Sequence, residues 1–132
     1  MKTVRVAAAV IRRGNEVLAA ERGYGEFRDR WEFPGGKIEA GETAEEALKR
    51  ELKEEMNADV TVDEKITTVE MDYPEFHLSM EVFFVSLKDN HLELLEHEAM
   101  RWLDSKHLEE VNWLPADRKI VGVLKEKYIK GC

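Results

Sequence analysis

The chain has 132 residues and a formal net charge of −8 at pH 7, with 36% charged and 43% hydrophobic residues. This length is sufficient for a compact core without disulfides, so we expect one domain over residues 1–132. The negative charge disfavours binding to nucleic acid polymers, which depends on Lys and Arg neutralising phosphates. The single cysteine, Cys132, excludes an internal disulfide framework. We find no signal peptide or membrane-spanning run and expect a cytoplasmic location without membrane contact.

The N-terminal part of the chain alternates between predicted strands and loops. Residues 4–11 and 16–20 are strand-like, and the RRGN segment between them supplies turn residues, which predicts a hairpin. Residues 23–30 contain two glycines and four charges without a period, a pattern typical of a loop near a functional site. Residues 31–33 are expected to form a short strand. It leads into a Pro-Gly-Gly turn whose backbone can approach a ligand closely.

A helix is predicted from Ala44 to about Met56. Thr43 and Glu46 have the spacing of a capping box, in which each residue satisfies a backbone N–H of the other. Asn57 tolerates the left-handed conformation that ends a helix. At about 100° per residue, the apolar side chains form one face that should point to a core. That face comprises Ala47, Leu48, Leu52 and Met56.

The apolar face of this helix also carries Glu51 and Glu55, with Glu54 at its edge. Two like charges about 5 Å apart repel by roughly 3 kcal/mol at an effective dielectric of about 20. Surface ion pairs on the same helix recover only a few tenths of a kcal/mol each. A cation between the carboxylates would remove this repulsion, and hard oxygen ligands favour Mg²⁺ or Mn²⁺. The helix therefore predicts a divalent-metal site.

Beyond the helix, strands are predicted at residues 58–62, 65–71, 76–87 and 99–103, because apolar and polar residues alternate there. Residues 105–111 are expected to be helical. A last amphipathic helix follows the LPAD segment. Its inward side chains are expected to be Ile120, Val121, Leu124 and Tyr128.

The spacing of the glycines and carboxylates resembles the Nudix box, and the FPGGK segment resembles the MutT branch of that family. The matching positions are Gly36, Glu42, Arg50, Glu51, Leu52, Glu54, Glu55, Asn57 and Ala58. The family has Gly where this chain has Asn57. Asn adopts the same backbone conformation, so we expect a small stability cost and little effect on metal ligands. A charged amphipathic helix without function is the alternative, and the number of matching positions disfavours it.

The resemblance implies an α/β Nudix fold, a mixed β-sheet sandwiched between α-helices. It also implies Mg²⁺-dependent hydrolysis of a nucleoside triphosphate to a monophosphate and pyrophosphate, with Mn²⁺ as an alternative metal. The attack would fall on the phosphorus next to the nucleoside's first phosphate. The implied metal ligands are the Gly35 carbonyl, Glu51, Glu54, Glu55 and Glu96. The implied catalytic residues are Glu51, Glu54, Glu55, Glu96, Arg50 and Glu42. Of these, Glu42 and Arg50 are expected to hold the loop against the helix.

Two of these assignments leave alternatives. Glu96 is selected by alignment on Trp102, and Glu98 is the alternative for the carboxylate that a loop supplies. Either Glu51 or Glu96 would take the proton of the attacking water. His97 is expected to be a surface or hydrogen-bonded side chain, because a hard metal prefers oxygen ligands.

The substrate side of the site also follows from the resemblance. An arginine at the place of Arg22 lies by the nucleotide in MutT-like enzymes, although it is equally compatible with a solvated strand end. Tyr73 could stack on a base or simply pack at a strand end. Asp117 resembles the base-reading residue of the family and, as in CTP diphosphatase relatives, would prefer an exocyclic amino group; a helix-start acid is the alternative. Lys37 is placed to contact a phosphate, with an ordinary surface lysine as the alternative. The candidate substrate-binding residues are Arg22, Phe33, Lys37, Tyr73 and Asp117.

Two other functions remain open at this point. A diphosphatase acting on ADP-ribose or another nucleoside diphosphate derivative is suggested by Pro74, sixteen residues after Ala58, near where that subgroup carries proline. A non-catalytic nucleotide-sensing domain is more remote, because such modules usually lose box carboxylates and all are present here. The expected partner is a small nucleotide. The sequence is compatible with a monomer or a homodimer.

Overall fold

The computed structural model describes residues 2–23, 25 and 28–128. Cys132 and residues 24, 26 and 27 of the predicted loop lie outside this set. The elements in chain order are β1 (Lys2–Arg13), β2 (Glu16–Glu21), β3 (Trp31–Glu32), β4 (Gly35–Lys37), α1 (Ala44–Met56), β5 (Val60–Asp72), β6 (Phe76–Leu87), β7 (Ala99–Leu103) and α2 (Pro115–Val123). One 3₁₀ turn spans Leu108–Glu110, and Leu124–Tyr128 continue from α2 as a π-helical turn. Neither helix among the described residues is long and apolar enough to cross a membrane.

The described strands form one mixed sheet with the order β3-β2-β1-β6-β5. β1 and β6 are parallel, and the other neighbouring pairs are antiparallel. The end of β1 pairs with β2 in the predicted hairpin, whereas Val6–Ala8 of the same strand pair with β4. β2 also pairs with β7 in an antiparallel arrangement. The expected α/β class with a mixed sheet is therefore confirmed.

Alternation along β1 divides the interior into two cores, one on each face of the sheet. Ala8 and Val10 face a core completed by α2, whereas Ala9 and Ile11 face a core completed by α1. Successive side chains of a strand point to opposite faces, so a strand buried on both faces is apolar at every position. The largest buried side chain is Trp113, in the core on the α2 face. The sheet therefore lies between the two helices, as predicted.

Helix α1 has the predicted bounds and both predicted caps. The Thr43 hydroxyl accepts from the Glu46 N–H at 3.1 Å, and the Glu46 carboxylate accepts from the Thr43 N–H at 2.9 Å. Asn57 has φ 50° and ψ 39°, the left-handed conformation, and its N–H donates to the carbonyls of Leu52 and Lys53. All four side chains of the predicted inner face are buried. The caps thus determine where this helix begins and ends, and the buried side chains determine which of its faces packs against the sheet.

Two predicted elements in the second half were wrong in detail. β5 is one strand from Val60 to Asp72 instead of two. Its register against β6 shifts on both sides of Lys65, so the pairing continues through the residues that separate the two predicted strands. The predicted helix at residues 105–111 is only a 3₁₀ turn. There Asp104 accepts from the Lys106 N–H at 3.0 Å and from the His107 ring, and these bonds compete with helical hydrogen bonding.

Two smaller differences involve pairing and exposure. The Pro-Gly-Gly turn opens the short strand β4, whose glycines lie directly against Ala7 and Ala8 of β1. Tyr128 was expected to point inward, but it is 42% exposed and only the edge of its ring meets Phe84, at 5.0 Å. A π-helical turn replaces regular α-helix before Tyr128, which changes the direction of its side chain.

Candidate active site

Two carboxylates of α1, Glu51 and Glu55, form a pair in which Glu55 is buried and Glu51 is partly buried. Glu55 is 8% exposed, and the Glu51 side chain is 18% exposed. Burial, a hydrogen bond to Glu51 and the charges of Glu51, Glu32 and Glu96 raise the pKa of Glu55 well above the usual glutamate range. Such a pair holds a proton unless a cation takes its place. Glu54, at the edge of this face, is 56% exposed.

Arg50 connects the box loop to these carboxylates. Its guanidinium donates to both oxygens of Glu42, at 2.7 and 2.9 Å, and to Glu51 at 2.8 Å. It also donates to the Lys37 carbonyl at 3.0 Å. The Arg50 hydrogen bonds lower the pKa of Glu42 to about 2 and raise the pKa of Arg50. Glu42 and Arg50 thus lie where they hold the loop against the helix and orient one oxygen of Glu51.

The two glycines of β4 separate this cluster from β1. A Cβ atom on Gly35 would lie 2.0 Å from the Ala7 carbonyl oxygen. A Cβ atom on Gly36 would lie 2.4 Å from the Glu51 carboxyl carbon. At Gly35 only glycine fits, because the clash is with the backbone of β1, whereas a side chain at Gly36 would displace the Glu51 carboxylate. The glycine backbone therefore runs directly beside Glu51.

The loop residue Glu96 lies close to the same cluster. Glu96 is exposed, and its charge contributes to the raised pKa of Glu55. Its neighbour His97 has a side chain only 6% exposed, whose Nε2 donates to Glu32 at 2.9 Å and lies 3.9 Å from a Glu55 oxygen. Glu98, the alternative ligand, is directed instead toward Gly23 and donates its N–H to the Glu21 carbonyl.

Sequence reasoning missed Glu32 and the burial of His97. Glu32 accepts from both Arg22, at 3.1 Å, and His97, so it joins the strand β3 to the loop before β7. The only local signal was a charged residue between the aromatic residues Trp31 and Phe33. The expectation that His97 is hydrogen-bonded agrees with this contact, but the surface alternative does not. The other ring nitrogen of His97 has no hydrogen-bond partner among the described residues.

The carboxylate and carbonyl oxygens around Glu55 are the type of ligand that a hard cation prefers. As the side chains stand, no three His, Cys, Asp or Glu groups of the described residues converge closely enough to enclose an ion. The Glu51 oxygens are engaged by the Arg50 guanidinium at 2.8 Å and by a hydrogen bond with Glu55. A divalent cation between Glu51 and Glu55 would relieve the repulsion of this pair.

A cleft of about 460 Å³ extends from β4 to the start of α2. Four of the five predicted substrate-binding residues line it: Arg22, Phe33, Tyr73 and Asp117. Lys37 does not; its side chain is exposed and its carbonyl accepts from Arg50. Gly35, Gly36 and Glu32 also line the cleft. The cleft therefore meets the glycines that abut the carboxylate cluster.

Asp117 lies buried at the far end of the cleft. Backbone hydrogen bonds from the Trp31 N–H to Asn112 and from the Leu114 N–H to Trp31 fasten the start of α2 to β3. An Asp117 oxygen accepts from the Phe33 N–H at 2.9 Å. Burial raises the pKa of Asp117 to about 8, against the effect of the Phe33 hydrogen bond. The raised pKa favours the protonated carboxyl near neutral pH, and in that form Asp117 can donate as well as accept.

Aromatic rings frame the cleft between these two ends. Phe33 stacks on Trp113 with ring centroids 4.5 Å apart, so its ring is fixed in the core. Tyr73 stacks on Phe76 at 4.9 Å in the turn between β5 and β6. Burial raises the pKa of the Tyr73 hydroxyl, and the nearby Asp117 charge adds to this effect.

Comparison with known proteins agrees with this geometry. Residues 1–124 match the model of the NUDIX domain. The chain is 43% identical over 96 residues to the 8-oxo-dGTP diphosphatase of Proteus vulgaris, covering 69% of this chain and 83% of that protein. It is 31% identical over 118 residues to the CTP pyrophosphohydrolase of Escherichia coli strain K12, covering 89% and 87%. The solution structure of the E. coli ORF135 protein superposes with a TM-score of 0.82 and 29% identity, covering 94% and 89%. The box residues, the sheet between two helices and these similarities together establish that the chain belongs to the Nudix hydrolase family.

Proposed function

We propose that this Nudix hydrolase converts a nucleoside triphosphate into a nucleoside monophosphate and pyrophosphate, with Mg²⁺ as its metal and Mn²⁺ as a substitute. The observation that carries the proposal is the continuity between the cleft and the carboxylates. The cleft reaches from Asp117 to Gly36, and Gly36 touches Glu51. A nucleotide with its base near Asp117 would have its phosphates beside the metal ligands. We also propose a role in clearing oxidised or otherwise modified nucleotides, which the name of the similar 8-oxo-dGTP diphosphatase of P. vulgaris supports.

The metal would be held by the Gly35 carbonyl, Glu51, Glu54, Glu55 and Glu96. Members of the Nudix family generally use divalent cations. When bound, Mg²⁺ would supply charge neutralisation at the phosphates and a more acidic attacking water. The buried Glu51–Glu55 pair supports this assignment, because its unfavourable charge is lost when a cation binds.

The residues of this chain would position and deprotonate the water. Arg50, itself held by Glu42, orients Glu51, and either Glu51 or Glu96 takes the proton. The water oxygen bonds to the phosphorus next to the nucleoside's first phosphate. The bond from that phosphorus to the oxygen that bridges it to the nucleoside's first phosphate breaks. The monophosphate leaves with the bridging oxygen, and the pyrophosphate carries the oxygen from the water. Lys37 would contribute positive charge near the phosphates.

The base would lie among Phe33, Tyr73 and Asp117, with Arg22 beside it. In its protonated form Asp117 donates to a base carbonyl, and in its ionised form it accepts from an exocyclic amino group. This range of partners is compatible with the substrates that the names of the P. vulgaris and E. coli relatives state. Those names and Asp117 support a triphosphate substrate, in addition to the continuity between the cleft and the carboxylates.

A diphosphatase acting on ADP-ribose or a similar compound is the second candidate, because Pro74 lines the cleft next to Tyr73. A nucleotide sensor without turnover is a more distant third. The test incubates the protein with Mg²⁺ and, separately, common and oxidised or methylated nucleoside triphosphates, ADP-ribose and a dinucleoside polyphosphate. Products are identified by ion-exchange chromatography. A monophosphate with pyrophosphate supports the proposal, turnover of ADP-ribose alone supports the second candidate, and binding without products supports the sensor.

A further inference from the structure

We propose that Asn57 is a positioning residue for Glu96, acting through a hydrogen bond that fixes one end of the loop segment that carries Glu96. This segment, residues 93–98, is called the Glu96 segment below. The inference rests on the proposed function, in which Glu96 is a metal ligand. It assigns a purpose to the asparagine side chain that the left-handed end of α1 does not require, because glycine adopts that conformation equally well.

The first end of the Glu96 segment is bound to the C-terminal end of α1. The Asn57 side-chain amide donates to a Glu93 carboxylate oxygen at 2.7 Å. The Glu93 N–H donates to the Met56 carbonyl at 2.7 Å. The last carbonyls of a helix have no partner within the helix, so this bond also satisfies the end of α1. Glu93 is therefore bound through both its backbone and its side chain.

The second end of the segment is bound to β2 and β3. The buried His97 ring donates to Glu32 at 2.9 Å, and the Glu98 N–H donates to the Glu21 carbonyl at 2.8 Å. These contacts place the residue after Glu96 against the sheet. The segment thus crosses the end of α1 that carries Glu55, with one attachment before Glu96 and one after it.

The residues between the two attachments contribute little packing of their own. Leu94 is 47% exposed and Leu95 is 54% exposed, while Glu96 is also exposed. A segment with few buried apolar contacts takes its order from the hydrogen bonds at its ends. Loss of the Asn57 bond would let residues 93–96 sample more conformations, and metal binding would have to restrict them. The Glu93 N–H bond to Met56, the contact of the His91 ring with the Glu93 carboxylate at 2.6 Å and the His97 attachment all remain, so the expected effect is a partial loss of metal affinity.

The direct test is Asn57→Gly, which keeps the left-handed backbone and removes only the side chain. We expect the dissociation constant for Mn²⁺, measured by calorimetry without nucleotide, to rise by about threefold to tenfold. This is at or below the lower end of the roughly 10- to 100-fold effect of residues that bond directly to a metal ligand, because Asn57 acts on Glu96 only through Glu93. Amide hydrogen exchange at Glu93 should be faster than in the parent protein. Asn90→Gly is the matched control, because Asn90 also has a left-handed backbone, with φ 57°, and lies outside both attachments. It should leave Mn²⁺ binding unchanged.

Glu93 provides the second arm of the test. Glu93→Ala should weaken Mn²⁺ binding as much as Asn57→Gly, and the double variant should be no weaker than either single variant. Glu93→Gln keeps an acceptor for the Asn57 amide and should restore much of the affinity. Additive effects of the two substitutions, or equal effects of Asn57→Gly and Asn90→Gly, would overturn the inference.

Glu96→Gln distinguishes failure of this inference from failure of the proposed metal site. If Glu96→Gln weakens Mn²⁺ binding and Asn57→Gly does not, the positioning role of Asn57 is wrong and the site assignment stands. If Glu96→Gln leaves Mn²⁺ binding unchanged, Glu96 is not a ligand, and both the assignment and the inference are wrong.

Discussion

Glu55 is buried beside a second carboxylate, Glu51. Its protonation state therefore depends on whether the protein is folded. Its pKa in the folded protein is raised, so the folded state retains a proton that the unfolded state loses above the ordinary value of 4.5. Stability therefore falls as the pH rises past 4.5, because the unfolded chain binds fewer protons than the folded one. A divalent cation would take over the role of this proton.

The first prediction concerns Glu55→Gln in the presence of a chelator. Glutamine is close in shape and cannot ionise, so the variant should lack the loss of stability that Glu55 causes at higher pH. The free energy of unfolding of the variant, relative to the parent protein, should increase from pH 5.5 to pH 7 to pH 8.5 in urea titrations. Parallel pH profiles for the two proteins would show that Glu55 is not a buried, protonated group.

Gly36 provides a second prediction at this scale. In Gly36→Ala the new Cβ would lie 2.4 Å from the Glu51 carboxyl carbon, so the carboxylate must move. We expect kcat to fall by about 100-fold, the cost of misplacing a catalytic group by about 1 Å. Gly122→Ala is the control, because Gly122 lies in α2 with no atom within 4 Å of the added Cβ. It should keep full activity and gain up to about 1 kcal/mol of stability.

Asp117 should give the activity a pH dependence of its own. Because its pKa is raised to about 8, the carboxyl is protonated below that pH and can donate to a base carbonyl. For a triphosphate whose base presents such a carbonyl, KM should rise as the pH passes about 8. Asp117→Asn keeps a donor at every pH and should remove this rise in steady-state measurements from pH 6.5 to 9.5. A rise that persists in the variant would assign it to another group.

At the scale of single elements, α1 shows how far local signals reach. Its bounds, caps and buried face follow from the spacing of residues within one segment, and all three were predicted. The capping box should be a measurable part of its stability. Thr43→Ala removes the acceptor for the Glu46 N–H and should lower the free energy of unfolding by about 1 kcal/mol. An unchanged urea midpoint would mean that this end of the helix is held by other contacts.

Elements whose form depends on distant partners were predicted less well. β4 forms only because its glycines fit against β1, and the irregularity in β5 is visible only in its pairing with β6. A 3₁₀ turn replaces the helix expected at residues 105–111, because the Asp104 side chain accepts hydrogen bonds there that compete with helical ones. The periodicity of hydrophobic residues within a segment does not depend on these contacts, so they could not be predicted from it.

The same limit applies to the candidate site. The carboxylates on α1 share one helix, so their proximity could be predicted from sequence. The contact between His97 and Glu32 joins residues 65 positions apart, and the contact between Asp117 and Phe33 joins residues 84 positions apart. Pairings of that kind depend on the completed sheet. The family resemblance supplied Asp117, whereas nothing in the sequence identified Glu32.

At the scale of the whole molecule, the two ends of the site belong to different faces of the sheet. Phe33 and the start of α2 belong to the core on one face, and α1 with its carboxylates covers the other. β4 connects the two ends, and its two glycines place no side chain between them. Since both cores share β1 and β6, we propose that residues 1–132 act as one domain.

The central claim is that the carboxylate cluster binds the metal used to hydrolyse a nucleoside triphosphate. The most direct measurement is product analysis by ion-exchange chromatography, on the triphosphate that is turned over fastest, for the parent protein and for Glu55→Gln. With Mg²⁺, the parent protein should release monophosphate and pyrophosphate in equal amounts, and a chelator should stop the reaction. Glu55→Gln should be slower by at least about 100-fold, because loss of a metal ligand should cost no less than loss of a residue that only orients one. Full activity of Glu55→Gln, turnover in the presence of the chelator, or release of orthophosphate in place of pyrophosphate would contradict the claim.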